Sequence, residues 1–163
     1  MYLFSCATAL RIGDALAVKW EDLDVNRNPI VLGIKMQKVK KTLYIPLPPL
    51  AEEMLEFAPE GNLNNVEKGN HIFYHYGKQA INETLRELAR MAEIDKRLTY
   101  HSSRRTFATL ASAKGVPLQD LKQYMGHSSS KTTERYIKWS PTLAEQSAKK
   151  VKLFDLKELL KKK

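Results

Sequence analysis

The chain has 163 residues, of which 43% are hydrophobic and 28% are charged, and this composition excludes a disordered chain. Lysine and arginine total 27 against 18 acidic residues, so the formal net charge is +9. A basic excess of this size favours a polyanionic partner, because each neutralised phosphate releases counterions. Charge by itself leaves RNA binding and membrane-surface binding open beside DNA binding. The length fits one domain with a sizeable core.

Cysteine usage and apolar patterning indicate the expected compartment. Cys6 is the single cysteine, so no intramolecular disulfide can form, and a reducing cytoplasm is the expected environment. The opening segment lacks the basic region of a signal peptide. No apolar run approaches the roughly 20 residues needed to span a bilayer, and no membrane partner is expected.

The N-terminal half predicts short helices beside a small antiparallel sheet. Its β-prone runs indicate a hairpin or a three-stranded sheet with a basic tip at 35–41. In chain order, the expected elements are a buried apolar segment at 2–10, a helix at 12–18, a turn at 20–24, strands at 30–34 and 42–46, and a helix at 50–58.

The C-terminal half is predicted to be helical, because capping residues and helix-ending glycines divide it. Asn82 is the predicted cap of one helix, Ser102 or Ser103 of the next, and Gly115 and Gly126 are predicted stops. The expected elements are a loop at 60–70, a strand at 72–74, helices at 82–91, 102–114 and 117–126, a helix capped by Ser129 or Ser130 that carries Tyr136, and a basic amphipathic segment at 149–163. The fold class predicted is α+β, mostly helical.

Four residues from three parts of the chain could act together on one phosphate. His101 and Arg104 are three positions apart, so on a helix they share a face and can donate to the same anion. Arg11 and His127 come from other elements. Two arginines and two histidines would stabilise the extra charge of a pentavalent phosphorane without a metal.

Two further residues supply the reactive groups of this hypothesis. Tyr136 offers a phenol that can form a covalent intermediate, and Lys38 in the basic tip can protonate a leaving 5′ oxygen. Each residue also has a structural interpretation. Arg11 can pair with Asp14, the histidines can be structural, Tyr136 can serve packing, and Lys38 can be a solvated lysine. Residue chemistry by itself leaves both interpretations open.

The ordered set of motifs resembles the tyrosine recombinase (phage integrase) family. The matching strings are ATALRIGDALAVKWEDLD, TLYIPLP, HSSRRTFATLASAKGV and LKQYMGHSSSKTTERYIK, in the family's order and at similar separations. His127 lies nine residues before Tyr136, as the family pattern requires. The resemblance runs from the start of the chain to about Lys138 and implies the family's catalytic-domain fold.

The resemblance implies a catalytic role for each candidate residue. Arg11 and Arg104 would bind the scissile phosphate, His101 would handle a proton beside it, and His127 would hydrogen-bond a non-bridging oxygen. Tyr136 would attack the phosphorus, giving a 3′-phosphotyrosyl link and a free 5′ hydroxyl.

The resemblance also implies how the reaction is completed and on what. Lys38 best matches the general acid, with Lys40 and Lys41 as rivals, and no metal or cofactor is expected. The expected partner is double-stranded DNA, bound by a tetramer whose protomers are monomers when free, in the cytoplasm of a bacterium or encoded by a mobile element. The residues expected to contact DNA are Lys40, Lys41, Arg105, Lys131 and Arg135.

Two departures from the family pattern shape the expected domain organisation. Arg105 stands where the family often has histidine. Arg11 lies close to the start of the chain, whereas family members usually carry a core-binding domain before it, so the chain resembles a fragment. Residues 1–148 would form the catalytic domain, and the tail at 149–163 would dock on its own domain or on a neighbouring protomer. The alternative functions are a non-catalytic DNA-binding fragment and a type IB topoisomerase-like enzyme.

Overall fold

The computed structural model describes residues 1–35, 42–58, 69–74, 76–127 and 133. Within these ranges helices predominate over one small sheet, as predicted. The elements are α1 (Tyr2–Thr8), α2 (Ile12–Ala17), β1 (Leu23–Asp24), β2 (Val31–Lys35), β3 (Thr42–Pro46), α3 (Pro49–Glu56), α4 (Lys78–Met91), α5 (Tyr100–Ala113) and α6 (Leu118–Tyr124). None of the described helices is long and apolar enough to cross a membrane.

The sheet has three antiparallel strands in the order β1-β2-β3. Leu32 of β2 pairs with Leu23 of β1 and with Ile45 of β3. Alternate residues of β2 and β3 are buried, because the period of two directs one face of the sheet to the core. The three-stranded form of the prediction is confirmed. Of the predicted basic tip at 35–41, Lys35 ends β2, and residues 36–41, which include Lys38, Lys40 and Lys41, lie outside the described residues.

The buried apolar side chains form two clusters. The larger one joins α1, α2, the sheet and α3 to the start of α5, with Phe4, Leu32 and Leu55 fully buried. The smaller one lies between α5 and α6, and its members are Ala9, Phe107, Ala108, Leu121 and Met125. Ala9 is the C-cap of α1, so the end of α1 reaches this second cluster.

Helix starts differ from the sequence prediction at α5. The N-cap is Thr99, and the helix begins at Tyr100. Ser102, one of the two predicted caps, lies inside the first turn, where its hydroxyl accepts from the Thr99 amide at 3.3 Å. The hydroxyl of Ser103, the other predicted cap, donates to the Tyr100 carbonyl at 2.7 Å. Thr99, Ser102 and Ser103 all carry hydroxyls within five positions, so residue type alone does not identify the N-cap.

The predicted cap of α4 serves the neighbouring helix instead. α4 begins at Lys78 after Gly77, four residues earlier than the prediction. The side-chain oxygen of Asn82 accepts from the backbone amide of Tyr100 at 2.8 Å. This amide is one of the N-terminal donors that a helix leaves unsatisfied. Asn82 therefore caps α5 across space, which no local pattern encodes.

The predicted strand at 72–74 is wrong. Beside the segment, an isolated antiparallel bridge joins Lys19 and His71, and residues 72–74 themselves form no strand. The Ile72 amide donates to the Val18 carbonyl at 3.0 Å. Ile72 and Phe73 are buried in the larger cluster, so their apolar character reflects packing rather than a ladder of strand hydrogen bonds.

Candidate active site

A cavity of about 770 Å³ is lined by four of the predicted site residues, Arg11, His101, Arg104 and His127. Arg11 is the N-cap of α2 and His101 lies in the first turn of α5. Arg104 lies one turn further along α5, which confirms that it shares a face with His101. His127 follows α6. The fold thus joins three distant parts of the sequence at one concave surface.

Arg104 is buried, with only 2% of its surface exposed. Its guanidinium donates to the backbone carbonyl of Ala9 and, at 2.9 Å, to that of Met125. Ala9 is the C-cap of α1 and Met125 is the C-cap of α6. Helix C-termini carry partial negative charge, so the two helix ends compensate the buried positive charge. The guanidinium is thereby fixed in the cavity wall.

The end of α6 determines where His127 lies. Gly126 adopts a φ of 57°, the left-handed conformation that glycine tolerates best. The Gly126 amide donates to Gln123 at 2.9 Å, and the His127 amide donates to Lys122 at 3.1 Å. This pair of bonds is a Schellman motif. The prediction that Gly126 ends the helix and leaves His127 at its end is confirmed.

The imidazole of His127 lies between two partners. Its Nε2 is 3.0 Å from Nη2 of Arg104, and its Nδ1 is 2.9 Å from Oγ1 of Thr133. Burial lowers the pKa of His127 to about 4, and the positive charges of Arg104, Arg11 and His101 lower it in the same direction. The ring is therefore neutral near pH 7.

His101 is the solvent-exposed member of the set. Partial burial of its ring lowers its pKa, and the charges of Arg104, Arg105 and Arg11 add to this effect. A lowered pKa favours the neutral imidazole at neutral pH. His101 is thus able to accept a proton while it faces a cavity of positive charge.

Arg11 satisfies both interpretations that its sequence left open. Its Nη1 is 3.8 Å from Oδ2 of Asp14, and the Asp14 side chain is 2% exposed. The same arginine lines the cavity. The ion pair with a buried carboxylate thus occurs together with a place in the cavity wall, where the guanidinium can also meet an anion.

The sequence model of the phage integrase family matches residues 1–142. The chain belongs to the phage integrase family. A tyrosine recombinase XerD of Halalkalibacterium halodurans is 29% identical over 80% of this chain and 45% of its own length. A tyrosine recombinase of Pseudothermotoga lettingae is 31% identical over 83% of this chain and 46% of its own length. The chain spans about half the length of these curated relatives.

Solved structures show the same fold. The XerA recombinase superposes with a TM-score of 0.72 at 21% identity, over 93% of this chain and 57% of that protein. The catalytic domain of bacteriophage HP1 integrase gives a TM-score of 0.64 at 22% identity, over 93% of this chain and 80% of that domain. The predicted tyrosine recombinase catalytic-domain fold is therefore confirmed for this integrase-family chain.

The structure of this integrase-family chain adds basic residues that the sequence analysis missed. Lys78, Arg86 and Arg97 line the same cavity, and no acidic side chain is among the described residues that do so. Lys78, Asn82 and Arg86 are spaced four apart, which puts them on one helix face. The sequence could therefore have predicted that these three residues lie together. Arg97 lies in the connection between α4 and α5, and no sequence pattern marked it as a site residue. No group of three potential metal-ligating side chains occurs in the described ranges.

The remaining predicted residues of the integrase-family chain lie elsewhere. Arg105 is exposed and is not among the residues that line the cavity. Tyr100 does line it, but its hydroxyl is hydrogen-bonded to Ser5, and burial raises the pKa of Tyr100 above its usual value. The predictions that fall outside the described residues are those for Lys38, Lys40, Lys41, Lys131, Arg135, Tyr136 and the tail at 149–163.

Proposed function

We propose that this chain is the catalytic domain of a site-specific DNA recombinase that cuts and rejoins DNA through Tyr136. The convergence of Arg11, His101, Arg104 and His127 on one basic cavity carries the proposal. A phosphodiester in this cavity meets two arginines whose planar forks match its non-bridging oxygens. Family membership supports the same reaction class.

The reaction would proceed by two phosphoryl transfers. The Tyr136 oxygen attacks the scissile phosphorus, the bond from phosphorus to the 5′ oxygen breaks, and a 3′-phosphotyrosyl link forms. His101 accepts the phenol proton, and Lys38, with Lys40 and Lys41 as rivals, gives a proton to the leaving 5′ oxygen. A 5′ hydroxyl of a second strand then reverses the step. The phosphotyrosyl bond conserves the energy of the broken phosphodiester, so no metal or nucleotide is required.

Arg11 and Arg104 would stabilise the charge that develops on the phosphorane. Both guanidiniums have partners before DNA binds: Arg104 donates to two backbone carbonyls, and Nη1 of Arg11 lies 3.8 Å from Oδ2 of Asp14. Donors that are already oriented lose little energy to reorganisation during the reaction. This preorganisation favours catalysis over simple electrostatic binding.

The proposed assembly is a tetramer on two DNA duplexes, formed in the cytoplasm from protomers that are monomers when free. Solved relatives include XerH bound to its difH substrate and the Tn1549 transposon integrase in complex with transposon DNA. Residues 1–148 would form the catalytic domain, and the tail at 149–163 would dock in cis or in trans. Lys40, Lys41, Arg105, Lys131 and Arg135 would contribute DNA contacts.

Covalent trapping tests the proposal. The 163-residue chain is incubated with supercoiled plasmid in EDTA at low salt, quenched with detergent and assayed for a protein–DNA adduct. We expect an adduct with the wild type and none with Tyr136→Phe, which removes the nucleophile and leaves DNA binding nearly unchanged. Tyr100→Phe is the matched control, because Tyr100 is a tyrosine that lines the same cavity, and it should keep the adduct.

Each other outcome changes the assignment. An adduct that persists in Tyr136→Phe and disappears in Tyr100→Phe would move the nucleophile to Tyr100. Salt-dependent DNA binding with no adduct in any variant would contradict catalysis by this chain and favour a DNA-binding module. Relaxation of the plasmid without exchange between duplexes would favour a topoisomerase-like reaction.

A further inference from the structure

Thr133 is a fully buried polar residue that the proposed reaction does not use. It is 0% exposed, and its Oγ1 is 2.9 Å from Nδ1 of His127. It lies three positions before Tyr136 in the sequence. A hydroxyl buried this deeply normally has a hydrogen-bond partner, and here that partner is the site histidine.

The other side of the ring fixes the direction of this bond. Arginine can only donate, so Nε2 of His127, 3.0 Å from Nη2 of Arg104, accepts. A neutral imidazole has one donor and one acceptor nitrogen. Nδ1 of His127 therefore carries the hydrogen and donates to Thr133. In this state Nε2 has no hydrogen to offer a phosphate.

A bound phosphate would require the opposite arrangement. To donate to a non-bridging oxygen, Nε2 must carry the hydrogen, and Nδ1 becomes the acceptor. The proton leaves Nδ1 for solvent and another reaches Nε2 from solvent, so the charge of the ring is unchanged. Only a partner that both accepts and donates can hold Nδ1 in the two states. A hydroxyl has this property, whereas a carbonyl or a methyl group does not.

We propose that Thr133 is a positioning residue whose hydroxyl supports both tautomers of His127, so that Nε2 accepts from Arg104 in the free protein and donates to phosphate in the bound one. The inference rests on the proposed function for its catalytic consequence. The tautomer in the free protein follows from hydrogen-bond geometry and can be tested without any reaction.

The first test is the ¹⁵N NMR spectrum of the histidine-labelled chain, with the His127 signals assigned by their loss in His127→Gln. We expect the Nδ1–H tautomer in the wild type and in Thr133→Ser, which keeps a hydroxyl. Saturating inorganic phosphate should convert both proteins to the Nε2–H tautomer. Thr133→Val should keep the Nδ1–H tautomer without phosphate, because Arg104 still donates to Nε2, and should convert incompletely with phosphate, because Nδ1 then has no donor. A spectrum in Thr133→Val that matches the wild type in both conditions would overturn the proposal.

Folding controls keep this test decisive. Thr8→Val removes another fully buried hydroxyl, one that donates to the Phe4 carbonyl at 2.8 Å, and should leave the His127 tautomer unchanged. If Thr133→Val does not fold, Thr133→Ala provides a smaller side chain without a hydroxyl, and the same incomplete conversion with phosphate is expected.

The second test measures adduct formation on plasmid DNA. We expect Thr133→Val to lower its rate by about 10- to 100-fold, less than the roughly 100- to 1,000-fold typical of removing a transition-state donor outright. DNA affinity should be unchanged, and Thr133→Ser should recover most of the rate. In a His127→Gln background, Thr133→Val should have no further effect. An equal loss in both backgrounds would mean that Thr133 acts through packing and not through His127.

The two tests separate this inference from the proposed function. If the wild type forms no adduct, the proposed function fails, and the NMR measurement still decides whether the Thr133 hydroxyl supports the change of tautomer at His127. If the adduct forms but Thr133→Val converts with phosphate as completely as the wild type, the recombinase proposal stands and the role of Thr133 is refuted.

Discussion

At the scale of single residues, His127 shows how environment determines chemistry. The sequence singled it out because it follows Gly126 and lies nine residues before Tyr136. The sequence contained no information on the charge state of the His127 ring. Burial and the neighbouring positive charges of Arg104 and Arg11 make the neutral form the stable one. Thr133, its partner on the other side, is an unremarkable threonine in the sequence.

The lowered pKa of His127 predicts a pH-dependent contribution to stability. Its pKa is about 4 in the folded protein and roughly 6.5 in an unfolded chain. Between these values the unfolded state binds more protons, so the contribution is complete above about pH 6.5 and is lost as the pH falls towards 4. We expect the thermal unfolding midpoint to fall more steeply over this range in the wild type than in His127→Gln.

The wild type and His127→Gln contain the same carboxylates, so carboxylate titration contributes equally to both unfolding midpoints and drops out of their difference. An NMR titration of His127 supplies an independent measurement, and the ring should remain neutral down to about pH 4. A midpoint near 6.5, or parallel stability curves for the two proteins, would contradict the prediction.

At the scale of elements, sequence periodicity correctly predicted which residues share a helix face, but it did not predict contacts between helices. The three-residue spacing of His101 and Arg104 placed both on one face of α5, and the structure agrees. The bonds from Arg104 to the ends of α1 and α6 were not predictable, since their acceptors are backbone carbonyls distant in sequence. The cap that Asn82 provides to α5 was missed for the same reason.

The bonds of Arg104 to two helix ends predict a structural cost for its removal. Arg104→Met keeps a long apolar side chain but leaves the buried carbonyls of Ala9 and Met125 without this donor. We expect the free energy of unfolding in urea to fall by about 2–4 kcal/mol, because an unsatisfied buried polar group costs about 1–3 kcal/mol. Arg105→Met, the adjacent exposed arginine, should change it by less than about 0.5 kcal/mol.

Equal stability of the Arg104→Met and Arg105→Met variants would show that the two carbonyl bonds do not stabilise the fold. A loss of adduct formation in Arg104→Met has to be compared with its loss of stability. Only the part measured under conditions where the variant is fully folded reports on transition-state stabilisation.

At the scale of the whole molecule, the structure shows where part of the basic charge is concentrated. The cavity gathers Lys78, Arg86 and Arg97 beside Arg11 and Arg104. Arg27 belongs to a different depression, which is lined also by Glu21, Asp22 and Asp24. The sequence predicted a polyanionic partner from the total charge, but the total gave no location for the binding surface.

The local charge predicts how DNA binding depends on salt. Lys78→Ala and Arg97→Ala should each weaken binding and reduce the slope of log affinity against log salt concentration by roughly 0.9, the value for one phosphate contact. Arg27→Ala is the matched control, since Arg27 is paired with Asp24 at 2.8 Å. Fluorescence anisotropy with a labelled duplex at several salt concentrations measures the slopes. Equal slopes for the wild type and for the two cavity variants would exclude these residues from the DNA interface.

The sequence by itself determined the family, the α-rich fold with its small sheet, and the identity of Arg11, His101, Arg104 and His127. These features follow from ordered motifs, from periods of 3.6 and 2, and from glycines at helix ends, all of which are local in the chain. Only the tertiary structure decided which groups contact Arg11, Arg104 and His127. The carboxylate of Asp14, the carbonyls of two helix ends and the hydroxyl of Thr133 act through distance and burial, which exist only after the chain has folded.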